Sequence, residues 1–167
     1  LPLLLSLNSQ VVLQSSKKTQ TLFLDSFFIG YRKTKLKKGQ FIHSIRIPLF
    51  QKNIFKAYKV SKRFDDDISS VCAAFNLEMV KGKIQSIRIA YGGMAAIPKR
   101  ATYCEKVLVN SLMTEQTIHK AKQALEKDFN PISDMRASRS YRMEVAKNLL
   151  EKCCEEIKQK KSIGVYV

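Results

Sequence analysis

Two alternating runs joined by a tight polar turn constrain this chain more than any other feature. In residues 70–79, Val71, Ala73, Phe75, Leu77 and Met79 fall on one side of an extended backbone, and Asn76 and Glu78 fall on the other. In residues 84–91, Ile87, Ile89 and Tyr91 share a face. Between the runs, Val80-Lys81-Gly82-Lys83 supplies a glycine where a hairpin turn needs it. The two runs therefore pair antiparallel, and residues 55–63 add a third strand-like run before them.

Helical patterns follow. Residues 103–109 form a short helix after Pro98. Thr114 caps a helix to about Lys127, with Ile118, Ala121 and Leu125 on one face, and Asn130-Pro131 ends it. Ser138 caps a long final helix with an apolar line of Tyr141, Val145, Leu149, Cys153 and Ile157, widened by Ala146 and Leu150. A stripe that wide suits packing on a sheet. Strands followed by helices predict an α+β class rather than alternating βαβ units. The expected architecture is an antiparallel three- to four-stranded sheet covered by a small helical bundle.

The first part of the chain differs in character. Residues 10–14 and 20–24 read as short strands around the turn Ser15-Ser16-Lys17-Lys18. Phe27, Phe28 and Ile29 form an apolar knot ended by Gly30, and residues 31–39 a cationic loop. Residues 41–47 alternate as a strand that Pro48 ends, so 48–53 is the expected boundary between two parts. Up to Arg63 there are 13 basic residues and one acid, Asp25; beyond it there are 17 basic and 13 acidic. Such asymmetry points the first part at something anionic. Nucleic acid, a phosphorylated cofactor, an acidic partner chain and plain solubility all satisfy it.

At 45% apolar residues the 167-residue chain has enough hydrophobic content for a core, which excludes simple disorder. No apolar run reaches the length of a membrane span. Residues 1–7 are apolar but short and have no positive residue before them, a poor match to a signal peptide. The chain starts without Met and reads as a piece of a longer one. Cys72, Cys104, Cys153 and Cys154 include no CxxC, and His43 and His119 stand apart from them, so zinc spacing is absent. Reduced cysteines and a cytoplasmic location are expected.

The chemistry-bearing residues are few. Asp65-Asp66-Asp67 reads as salt-bridged to Lys62, Arg63 or another base, since neighbours on an extended chain point apart and make poor metal ligands. Gly92-Gly93 after a strand suits a tight turn or bulge, or a close approach of backbone to a ligand or neighbour. Lys59, inside a strand, is either an edge charge or a cation aimed at a ligand. Arg136, Arg139 and Arg142 make a solvated or salt-bridged face, or an anion or partner contact. His43 and His119 read as structural or exposed. No Ser-His-Asp or Cys-His arrangement is present, which suits a binding module or an enzyme whose chemistry belongs to a cofactor.

Taken in order, several segments resemble one family. Residues 27–34 (FFIGYRKT), 59–68 (KVSKRFDDDI), 91–95 with 98–101 (YGGMA, PKRA) and 133–138 with Tyr141-Arg142 (SDMRAS, YR) are similar to successive blocks of the flavin subunit of bacterial xanthine dehydrogenases. The C-terminal module is shared with the medium chain of carbon monoxide dehydrogenases. Each block is weak alone, and their order makes them specific.

The resemblance implies a molybdenum hydroxylase. A molybdopterin subunit oxidises a purine, electrons pass through iron–sulfur clusters to FAD, and the flavin reduces NAD. Residues 1–50 would be the tail end of the α+β FAD-binding domain, and 51–167 the C-terminal domain. The family's glycine-rich diphosphate-binding segment would precede Leu1, so the chain alone is expected to be inactive. Two FAD contacts carry over: Ile42, where the family usually has Leu, packing on the isoalloxazine, and Lys59, a cation near N1 and the C2 carbonyl. No catalytic or metal residue carries over. The implied partners are the molybdopterin-binding subunit, the iron–sulfur domain and NAD, with neither nucleic acid nor membrane. The alternative is a basic α+β module without flavin that binds nucleic acid or docks an acidic subunit. For that, Phe55, Tyr58 and Phe75 would have to form a stacking platform.

Overall fold

A computed structural model describes residues 1–63 and 67–159. The hairpin at its centre is strand β7 (Val71–Val80) paired antiparallel with β8 (Lys83–Gly92). Lys81 and Gly82 both take positive φ, 50° and 78°, which gives the turn the twist that joins two neighbouring strands. Strand β6 (Ile54–Val60) pairs with β7 on one side and the two-residue β9 (Lys99–Arg100) with β8 on the other. The sheet order is β6-β7-β8-β9, all antiparallel. The strand at 55–63 is thus shorter than the sequence suggested, ending at Val60, and β9 makes up the fourth strand of the expected three- to four-stranded sheet.

Helices α2 (Thr102–Leu108), α3 (Glu115–Asp128) and α4 (Arg139–Gln159) cover the face expected to be apolar. Val71, Ala73, Phe75, Leu77, Ile89 and Tyr91 are buried there with Cys104, Leu108, Leu125, Ala146 and Leu150. An edge-to-face ladder of Tyr58, Phe75, Tyr91 and Phe129 crosses this interface. The Tyr91 hydroxyl donates to the carbonyl of Ala146 at 2.9 Å, so its polar end is satisfied within the core.

The caps behave as the sequence predicts. Thr114 Oγ1 accepts from Thr117 N at 3.2 Å, and Ser138 Oγ from Tyr141 N at 3.2 Å. The apolar face of α4 is rotated from its expected line. Tyr141 is half exposed, and Arg142, Ala146, Leu149, Leu150, Cys153, Cys154 and Glu156 form the buried side.

The other face of the β7–β8 hairpin is covered too. A one-and-a-half-turn helix, α1 (Pro2–Ser6), packs on it. Asn76, which the alternation turned away from the helices, is buried: its Nδ2 donates to Ser6 O at 3.2 Å, and its Oδ1 accepts from Asn53 at 2.9 Å. Arg88 reaches Leu5 O from the same face.

Beyond α1 lies a second sheet, β2-β1-β5, built from β1 (Gln10–Gln14), β2 (Thr19–Phe23) and β5 (Phe41–Arg46). Val11 and Leu13 of β1 join Leu5, Leu24, Phe27 and Ala90 in a second apolar cluster between the sheets. The apolar knot and cationic loop of residues 27–39 include a small hairpin, β3 (Phe28–Gly30) with β4 (Lys33–Thr34). Residues 47–53 form the irregular link between the two sheets.

Candidate functional site

Lys59 sits on β6, the edge strand of the larger sheet, opposite Cys72 of β7. Consecutive side chains on a strand leave by opposite faces. Tyr58 goes to the helix side, where its hydroxyl donates to Glu156 at 3.0 Å. Lys59 goes to the α1 side, exposed beside Phe55 and Ala57. Burial pushes the Cys72 thiol up, and the Leu1 amino group and the Lys59 charge pull it back.

Ile42 lies on β5, the edge strand of the smaller sheet, opposite Leu13 of β1. It therefore shares the face that Leu13 turns into the cluster between the sheets, yet it is 48% exposed. The two predicted site residues thus occupy the inward-turned faces of the two sheets. Asp25, just past β2, ion-pairs with Arg88 of β8 and Arg100 of β9.

Phe41, Ile42, Ile45, Ile47 and Phe50 make an exposed apolar strip along β5 and the link, and Phe55 of β6 is exposed as well. An exposed aliphatic side chain and an exposed lysine are each the kind of group that a planar, apolar ring system with negative charge at one end would use. The fit to a flavin is chemical: the ring stacks on aliphatic carbon, and its pyrimidine end gains from a cation.

The residues that flank 64–66 are tied to the rest of the fold. Ser70 N donates to Val60 O at 2.8 Å, closing residues 61–69 at their base. Lys62 Nζ donates to Met135 O at 2.7 Å, and Ser70 Oγ to Arg136 O. Asp67 ion-pairs with Arg63 at 3.4 Å, as the salt-bridge reading of the acidic run expected; Asp65 and Asp66 lie outside the described residues.

Gly93 occupies a tight turn after β8 with φ of 82°. A Cβ there would collide with the Ser70 carbonyl, so the double glycine serves a close approach to packed backbone. The arginine series divides. Arg139 is exposed and Arg136 half-buried, while Arg142 is 3% exposed and donates to the carbonyls of Ser70 and Gly93 and to Asp134. Of the solvated and salt-bridged readings, Arg142 takes the salt bridge, to Asp134 at 2.7 Å, and is buried because the helix starts three residues before it and its turn carries it inward.

Several expected readings stay bland. His43 is exposed on β5 beside Ser44, and His119 is exposed on α3 beside Gln123. All four cysteines are free. Among the described residues no group of histidine, cysteine and carboxylate side chains could hold a metal ion, and no helix is long and apolar enough to cross a membrane. The stacking platform of the alternative is not assembled. Phe75 is fully buried and Tyr58 is on the helix side with it, which leaves Phe55 alone on the open face. Sequence reasoning singled out Arg142 but not its burial, since the three-residue spacing from Arg136 and Arg139 hid an inward-facing position.

The fold is two small sheets meeting across the short helix α1, the larger of them covered by three helices. Comparison with known proteins gives its descent. Residues 56–157 match the CO dehydrogenase flavoprotein C-terminal domain, and residues 1–50 match the FAD binding domain in molybdopterin dehydrogenase. The chain belongs to this family of flavin-binding parts of molybdopterin dehydrogenases.

It is 35% identical over 133 residues to a xanthine dehydrogenase of Emericella nidulans, covering 77% of this chain and 10% of that protein. It is 31% identical over 157 residues to the glyceraldehyde dehydrogenase medium chain of Sulfolobus acidocaldarius, covering 92% of this chain and 54% of that one. Among solved structures, a chain of the reconstituted CO dehydrogenase from Oligotropha carboxidovorans superposes with a TM-score of 0.83 at 25% identity, over 89% of this chain and 52% of that one. This chain therefore spans a tenth of the xanthine dehydrogenase and about half of the medium chain.

Proposed function

We propose that this chain is the C-terminal portion of the FAD-carrying, electron-transfer part of a molybdenum hydroxylase. In this reading residues 1–50 complete the FAD-binding domain and 51–167 form the C-terminal domain. The observation that carries it is the placement of Ile42 and Lys59. Ile42 lies on β5 and Lys59 on β6, the edge strands of the two sheets, and both are exposed. Ile42 would give the isoalloxazine an aliphatic floor, and the Lys59 ammonium would stand at its N1 and C2 carbonyl end. Bound FAD supplies reversible two-electron and one-electron chemistry. The residues of this chain supply position and electrostatics: a fixed cation favours the state in which the ring carries negative charge, and the apolar strip keeps water from the ring.

The assembly belongs to the same reading. Iron–sulfur clusters would deliver electrons, a molybdopterin-binding subunit would oxidise the substrate, and NAD would accept from the flavin. Xanthine as substrate, and with it a place in purine catabolism in the cytoplasm, is what the resemblance to xanthine dehydrogenases implies. Glyceraldehyde, nicotinate and nicotine stand in the names of relatives that match over similar stretches. The basic face of residues 31–38 suits contact with an acidic subunit.

The test is the visible spectrum of the natural full-length gene product purified without added cofactor. A flavin spectrum with FAD released on denaturation supports the reading. A colourless protein that stays colourless with added FAD overturns it. Lys59→Ala in the same protein should lower the flavin potential or weaken FAD retention, and unchanged values of both would remove Lys59 from the site.

A further inference from the structure

We infer that Arg142 is a positioning residue for Lys59, an inference that rests on the flavin reading above. The register places Lys59, Cys72 and Gly92 in one row across β6, β7 and β8. Arg142 acts one step beyond that row. Its Nη1 donates to Gly93 O at 2.9 Å and to Ser70 O, the residues that continue β8 and precede β7. Ser70 in turn donates its N–H to Val60 O, next to Lys59. One guanidinium on the first turn of α4 thus ties together the ends of the three strands where the row that carries the cation stands.

The guanidinium is itself held. Its Nη2 donates to Asp134 Oδ1 at 2.7 Å, and the same oxygen accepts from Arg136 N and Ala137 N. Gly93 is required for the arrangement, because a Cβ there would meet both the Ser70 carbonyl and the Arg142 side chain. A lysine could supply the charge but not the planar fork that serves two carbonyls and a carboxylate at once. Without the fork, the ends of β7 and β8 lose their common anchor. The loop base at Val60 and Ser70 then shifts, and with it the direction in which Lys59 leaves the edge strand. Arg142 is buried on the helix side and touches no flavin in this scheme, so its effect on the flavin must pass through Lys59.

The experiment is a double-mutant cycle on the full-length flavoprotein, read by spectroelectrochemical midpoint potential and FAD dissociation constant. Its four members are the wild type, Lys59→Ala, Arg142→Lys and the double variant. Asp134→Asn, which loosens the same guanidinium from the surface, is read alongside in case Arg142→Lys does not fold. The expected result is a lowered potential in Lys59→Ala and a smaller shift of the same sign in Arg142→Lys or Asp134→Asn. That smaller shift corresponds to at least a threefold loss in the preference for reduced over oxidised flavin. In the double variant, and in Asp134→Asn built on Lys59→Ala, the potential should equal that of Lys59→Ala.

A shift that adds fully to that of Lys59→Ala overturns the inference, because Arg142 would then act by another route. An unchanged potential in folded, FAD-loaded Arg142→Lys and Asp134→Asn overturns it as well. If Lys59→Ala itself leaves the potential unmoved, the flavin role of Lys59 fails first and the inference falls with it. The Lys59 arm alone reveals that case.

Discussion

The Tyr58 hydroxyl donates to the Glu156 carboxylate at 3.0 Å from beneath α4, across 98 residues of sequence. Lys56, two residues earlier on the same face, ion-pairs with that carboxylate at 2.8 Å, and Lys152 does so from the helix at 3.3 Å. Glu156 is buried, so the edge strand is fastened to the last helix by a carboxylate that has given up water for these partners. Burial and the neighbouring Cys153 and Glu156 push the Tyr58 hydroxyl far up, and it stays a donor at any physiological pH. The arrangement fixes the face from which Tyr58 leaves β6, and by alternation the face from which Lys59 leaves.

Tyr58→Phe should therefore cost about 1 kcal/mol, the usual net worth of one hydrogen bond. Glu156→Leu should cost about 3 kcal/mol, because it strands two lysines against an apolar surface. Denaturant midpoints with unchanged slopes would check both. A smaller loss for Glu156→Leu than for Tyr58→Phe would contradict the account.

The two positive-φ glycines outside the hairpin turn should separate cleanly. Gly39 has φ of 79° and open space around its missing Cβ, so Gly39→Ala should cost only the backbone strain, about 1 kcal/mol. Gly93→Ala adds a collision with the Ser70 carbonyl and should cost about 3 kcal/mol or prevent folding. Thermal unfolding of the pair gives the comparison directly.

Acid should release the Arg142 anchor in a defined window. The backbone N–H of Arg136 and the Arg142 guanidinium lower the Asp134 carboxyl from 3.8 to about 2. A depressed carboxyl contributes stability above its unfolded-state value and loses it as pH falls through the folded value. The Asp134 contribution should be intact above about pH 4 and gone near pH 2. Asp134→Asn should flatten that part of the acid-unfolding curve; an unaltered curve would refute the assignment.

Thiol labelling tests where Lys59 points without any flavin. Cys104, Cys153 and Cys154 are buried, with thiols pushed up by burial, Cys154 to about 12. Cys72 is half-buried and should react first in the native chain. The Leu1 amino group and, after it, Lys59 oppose the upward push of burial on that thiol, so Lys59→Ala should slow its reaction at a given pH by leaving less thiolate, with the Leu1 contribution still in place. An unchanged rate would place the ammonium away from Cys72.

Much of this molecule was readable beforehand because local rules governed it. The Lys81-Gly82 turn, the Thr114 and Ser138 caps and the period-two run of 71–79 rest on interactions within a few residues, and each formed where the pattern placed it. The ordered motif blocks carried the family as well. Other elements were illegible for the opposite reason. Helix α1 is five residues long, too short to be stable by propensity, and exists because it packs on the hairpin. Strand β9 is a two-residue pairing with the edge of β8. The Tyr141 line looked apolar, yet the helix turned about its axis to bury Arg142, since three acceptors were waiting for its guanidinium.

By itself, then, the sequence determined the α+β class, the central hairpin, the helix starts and, through its ordered motifs, the flavin-binding family. Those depend on turn geometry, capping and side-chain period, all short-range. The tertiary structure alone decided that the hairpin is buried on both faces, that Ile42 and Lys59 fall on exposed edge strands, and that Arg142 joins three distant segments. Each of these depends on how one sheet is laid over another and on which carbonyls remain without a donor, and neither condition exists until the chain has closed on itself.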